Sequence, residues 1–80
     1  MVRQHTFTAV FQRSGEWWAA WIEGLPGANT QGTTLEEAHE NLIDAAQMIL
    51  DDEVERVAFQ GHPETLPGSI IREPLMITMS

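Results

Sequence analysis

The sequence predicts an α+β fold in which a three-stranded antiparallel meander is followed by one amphipathic helix packed on the sheet and then a fourth strand, β-β-β-α-β. Three observations lead there. In "QHTFTAVFQ", Phe7, Ala9 and Phe11 fall on one face at period two, as in a half-buried strand. From Leu35 onward the apolar residues recur at spacings of three and four, which marks a helix with one buried stripe. Gly and Pro cluster between these stretches at "GLPG", and again after the helical pattern within "GHPETLPG", where the chain must turn.

The elements follow in order. Residues 4–12, rich in Thr, Val and Phe, form the first strand, and "RSGE" supplies the short Gly-containing link of a hairpin. "EWWAAWIE" is the second strand, apolar at every interior position. It places Trp17, Ala19 and Trp21 on one side and Trp18, Ala20 and Ile22 on the other, so both faces are expected to be covered. One helix can cover only one of them. The other set is expected to meet a second protein chain, which makes Trp17, Trp18 and Trp21 candidates for an apolar interface.

In "GLPG", Pro26 fixes its own backbone and Gly27 permits a positive φ, so the chain reverses there, and "ANTQG" is long enough for a short third strand. Thr33 to Glu36 match a capping box, with Glu36 reaching back to the cap. The helix is expected from Thr34 to about Val54. Leu35, Ala38, Leu42, Ala45, Ala46 and Ile49 form its buried stripe, and Glu36, Glu37, Glu40, Asp44, Asp51 and Glu55 project oppositely. Asp51, Asp52 and Glu53 oppose the dipole at a helix C-terminus, so the end frays between Asp52 and Arg56. Residues 57–69 read as an irregular connection. The fourth strand is placed at Leu75–Met79, with a start as early as Arg72, because Pro74 lacks an N–H and favours an edge or a strand beginning after it.

Composition narrows the function. The 80 residues make one domain, and twelve acids against four Arg give a formal net charge of -8. Such a field repels nucleic-acid backbones and anionic lipid and favours a basic partner. No apolar run is long enough for a signal peptide or a membrane span, so a cytoplasmic protein without membrane contact is expected. There is no Cys, hence no disulfide framework and no thiolate.

Nothing in the chain looks catalytic. His5, His39 and His62 lie on a strand, a helix and a loop with no ligand spacing between them, so no metal is expected. His39 lies beside the apolar stripe as a core-edge residue, and His5 and His62 are solvated. Eight of the twelve acids fall between Glu36 and Glu55. Read as one helix, they cannot converge from separate elements as a two-metal nuclease requires. Ser14, Ser69 and Ser80 lack a nucleophile elbow. Gly24, Gly27 and Gly32 are spaced by turns and make no phosphate loop, and no cofactor is implied.

The order of these pieces resembles the HicB-like antitoxin family, through Phe7 to Phe11 ("FTAVF"), Trp18 to Ile22 ("WAAWI"), Leu25 to Gly27, Thr30 to Gly32 and Thr34 to Ala38. The resemblance covers roughly the first 50 residues, with a looser match through the last strand. It implies a partial ribonuclease-H-like fold without nuclease activity, and a partner that is a small basic HicA-type toxin ribonuclease, masked at its catalytic His. It also implies a homo-oligomer, a dimer or tetramer. Many members carry a C-terminal helix-turn-helix or ribbon-helix-helix segment, whereas here the chain ends right after the fourth strand, so no operator-binding segment is expected. On this reading Glu36, Glu37, Glu40 and Asp44 make the electrostatic contacts. A reduced ribonuclease-H-like metal-dependent nuclease, or an orphan self-assembling domain without a toxin, stay open as alternatives.

Overall fold

The structure, a computed structural model, describes residues 2–80. Its elements are β1 (Arg3–Ser14), β2 (Trp17–Glu23), β3 (Asn29–Gly32), α1 (Leu35–Leu50), a 3-10 turn (Asp51–Glu53), β4 (Val54–Phe59), β5 (Glu64–Leu66) and β6 (Ile70–Met79). All strands join one antiparallel sheet of order β3-β2-β1-β6-β4, with β5 also paired to β6. The expected meander of the first three strands and the single helix after them are present. The C-terminal part is richer than the sequence suggests.

β1 and β2 close through Gly15 and Glu16, with Ser14 opposite Trp17 and Gly15 at φ +62°. This is the two-residue link that the strand twist favours. β1 then pairs β6 along its other edge, from Arg3 opposite Met79 to Gln12 opposite Ile70. The last strand is therefore ten residues long, starts at Ile70, and lies inside the sheet.

Pro74 consequently sits in an interior strand, contrary to the edge expected for it. The reason lies in the neighbouring strand. Pro74 C=O accepts from Gln60 N–H, and the N and C=O of one strand residue point to the same side. The missing N–H thus faces residues 60–63, where the adjacent strand leaves the ladder.

Residues 57–69 are likewise not irregular throughout. β4 and β5 are two parts of one strand that hairpins with β6. The chain advances five residues from Phe59 to Glu64 while β6 spans three from Arg72 to Leu75, so two residues bulge out around Gly61 and Pro63. Gly61 takes φ +77° there. The β-branched Val54 and Val57 hold the first part in the ladder, and Pro and Gly interrupt it locally.

Two boundaries of α1 also differ from expectation. The N-cap is Thr34, whose Oγ1 accepts from Glu37 N–H at 3.0 Å, one residue later than the Thr33–Glu36 pairing. Glu37, not Glu36, reaches back: its carboxylate accepts from Thr33 N–H at 3.0 Å and from Thr33 Oγ1 at 3.4 Å. At the other end the helix stops at Leu50, short of Val54, because Asp51 adopts φ +52°. That conformation breaks the helical ladder just where the dipole disfavours further acids. Asp51, Asp52, Glu53 and Glu55 therefore lie beyond the helix, leaving four acids on it.

α1 lies on one face of the sheet. Ala38, Leu42 and Ala46 are buried against Ala9, Phe11, Ala20, Ile22, Val57, Leu75 and Ile77. Small residues let the helix come close. A Cβ on Gly32 would stand 2.7 Å from the Ala38 backbone nitrogen. Ile49, expected in the buried stripe, is 42% exposed because the stripe rotates off the sheet toward the turn at Gly27. A helix of 16 residues reaches about 24 Å, whereas the molecule is 42 Å in its longest dimension. Much of the sheet is left uncovered on this face and all of it on the other.

Candidate functional site

Two surfaces remain open, and they use different chemistry. The first lies between α1 and β4. Leu35, His39, Ile43 and Phe59 form an apolar floor, and Glu36 and Glu40 stand at its margin, around a shallow groove of about 490 Å³. Helical spacing explains the grouping, since residues three and four apart share a face. The same one-helix coverage that builds the core leaves this strip between helix and edge strand.

His39 organises the floor. Its ring stacks on Phe11 at 4.2 Å between centroids and 20° between planes, and meets Phe59 edge-on at 4.5 Å and 67°. Nδ1 lies 2.8 Å from the Leu35 carbonyl and Nε2 lies 2.5 Å from Glu73 Oε1. A carbonyl only accepts, so Nδ1 carries the hydrogen of that contact, and Nε2 faces the Glu73 carboxyl. Both ring nitrogens are engaged, which leaves neither for a substrate or an ion. His39 is the core-edge residue expected from the sequence, with the added task of tying α1 to β6.

The candidate acids share the helix but not a single task. Glu36, Glu37, Glu40 and Asp44 are all exposed. Among the described residues the ion pairs are His39–Glu73 and Arg72–Glu23, so none of the four meets a cation there. Glu37 is occupied by the helix cap. Glu36 and Glu40 face the groove, and Asp44 lies a turn further along. Among the described residues no three of His, Asp and Glu assemble as a metal-ligand set.

The second surface is the bare face of the sheet. Trp17 is 48% exposed there and Trp21 half-buried. Val10, flanked in register by Trp21 and Arg72, is buried although it points away from the helix. Arg72 and Glu23 close over β1 with an N···O distance of 2.6 Å. Trp18 does not join this surface. Strand alternation turns it to the helix side, where it packs on the core. β2 is thus covered on one face only.

Sequence reasoning missed Phe59 and Glu73. Phe59 alternates with Val57 at period two, a signal drowned by the Gly and Pro that follow. Glu73 is the single acid within a mostly apolar strand. Such a residue turned inward needs a partner, here 34 residues away at His39.

Comparison with known proteins returns a relative of the same size. The chain is 36% identical over 72 residues to a UPF0150 protein of Synechocystis sp., an alignment covering 88% of this chain and 92% of the relative. No family model matches the chain. No solved structure matches it. No helix among the described residues is long and apolar enough to cross a membrane.

Proposed function

From the chain's membership of the UPF0150 family, we propose that it is a HicB-like, non-catalytic binding module that neutralises a small basic HicA-type ribonuclease by covering its active surface. The observation that carries this reading is the acidic side of α1, where Glu36, Glu40 and Asp44 are exposed and meet no cation among the described residues. Unpaired like charges on one face raise the potential locally and speed encounter with an oppositely charged surface. A ribonuclease that handles RNA phosphates offers such a surface. Trp17 and Trp21 on the bare sheet face serve a second contact, between copies of the chain in a dimer or tetramer, with an apolar centre of the kind interfaces favour.

The test uses the purified chain and a HicA-type toxin in an RNA-cleavage assay. Cleavage is expected to stop near one equivalent of the chain. The variant Glu40→Lys/Asp44→Lys, which spares the Glu37 cap, is expected to slow association about tenfold at low salt, with the difference shrinking as salt rises. Cleavage that continues at excess chain removes the neutralising role. Unchanged association of the variant removes the helix face from it.

A further inference from the structure

The sheet has two edges, and the fold treats them differently. At β3, Asn41 of α1 donates its side-chain amide to the Gln31 carbonyl at 2.9 Å, so the helix occupies an outward group of a four-residue strand. β4 has no such cover among the described residues. Gln60 N–H bonds Pro74 C=O, and Ala58 and Arg56 stand opposite Met76 and Thr78 in the same phase of the ladder. Alternation then turns the N–H and C=O of Val57 and Phe59 away from β6 and toward solvent. Unpaired edge groups of this kind are a template for another strand.

The groove borders this edge. Val57 and Phe59 point their side chains to the helix side. A strand added along β4 would set every second side chain over Phe59 and Ile43, between β4 and the carboxylates of Glu36 and Glu40. We propose that β4 is a docking edge for an extended basic segment of a partner protein. Its backbone bonds Val57 and Phe59, an inward apolar side chain seats in the groove, and inward Arg or Lys side chains reach Glu36 and Glu40.

Charge selects this occupant over a second copy of the chain. Asp51, Asp52, Glu53 and Glu55 flank the edge in addition to the groove acids, against Arg56 alone. A two-fold pairing of β4 with itself is antiparallel and would bring the Glu55 end of one copy to the Phe59 end of the other, where Glu36 and Glu40 stand, setting acid against acid. The inference rests on the reading of the chain as a binder of a basic partner, and adds where and by what backbone geometry that partner is held.

The probe is an acetylated, amidated heptapeptide, Thr-Arg-Thr-Val-Thr-Arg-Thr, added to the isotope-labelled full chain. At saturation it is expected to slow amide hydrogen exchange of Val57 and Phe59 by about tenfold or more. N-methylation of its Arg and Val residues, which face β4 in this register, is expected to abolish binding. The exposed double variant Glu36→Lys/Glu40→Lys, which alters no buried contact, is expected to weaken it about tenfold. Undiminished binding of the N-methylated peptide, or spectral changes centred on Trp17 and Trp21, overturns the proposal. If the peptide fails while an intact basic ribonuclease is still bound, edge docking falls and the binding role stands. If neither binds at low salt, both fall.

Discussion

Gly32 shows how much of this molecule depends on single positions. It is a β3 residue without any need for a positive φ, yet a side chain there would collide with the α1 backbone at Ala38. Backbone cannot step aside as a flexible side chain can, so α1 would have to lift from the sheet. Gly32→Ala is expected to destabilise the fold by about 2 kcal/mol, the range of an overpacked core, measured by urea unfolding. An unchanged midpoint would mean that α1 does not sit on β3 as closely as described. "TQG" before "TTLEE" marks a turn in the sequence, but close helix approach is a property of two elements and could not be read from either. Asp51 is the complementary case. The acids at 51–53 announce a poor helix end, and the positive φ that sets the stop at Leu50 belongs to the folded backbone.

At the scale of elements, α1 is held by its apolar stripe and by few polar links to the sheet. His39 to Glu73 is the most enclosed of these, with side chains 24% and 11% exposed. Removing the carboxylate leaves His39 Nε2 without its partner between two aromatic rings. Glu73→Ala is expected to cost about 2 kcal/mol, the penalty of an enclosed polar group left unpaired. It should also accelerate amide exchange in the first turns of α1 ahead of the sheet. Uniform acceleration throughout would show that the pair does not fasten the helix in particular. The β4–β5–β6 hairpin belongs to this scale too. Its strands were hidden in the sequence because Gly61, Pro63, Pro67 and Gly68 read as punctuation. A long partner strand nevertheless supplies ladder bonds on either side of a two-residue bulge.

Across the whole molecule, twelve acids and four Arg occupy a chain of 80 residues, and among the described residues one Arg lies beside the acids of α1 and the turn after it as a free cation. Arg56 is that cation, since Arg72 is engaged by Glu23 and Arg3 and Arg13 lie on β1. The folded state therefore concentrates like charge along α1 and the turn after it. Screening should relieve this repulsion. Melting in about 150 mM NaCl is expected to lie about 4 °C above melting in about 10 mM, equivalent to roughly 1 kcal/mol for a domain of this size. A flat salt dependence in circular dichroism would show that the acids are spaced too widely to matter. The same unneutralised field is what a basic partner would meet first.

By itself the sequence determined what local pattern can determine: the Phe7–Ala9–Phe11 face, the Gly15 hairpin, the "LPG" reversal, one amphipathic helix with a Thr cap, and an excess of negative charge. These follow from periods of two and 3.6 and from residues that turn or cap a chain within a few positions. The tertiary structure alone decided that β6 lies between β1 and β4, that Pro74 is tolerated opposite a bulge, and that Trp18 parts from Trp17 and Trp21. It alone brought His39 to Glu73 and left Val57 and Phe59 on an open edge beside Glu36 and Glu40. Each of these joins residues far apart in the chain, and no local preference encodes which distant surface an element will meet.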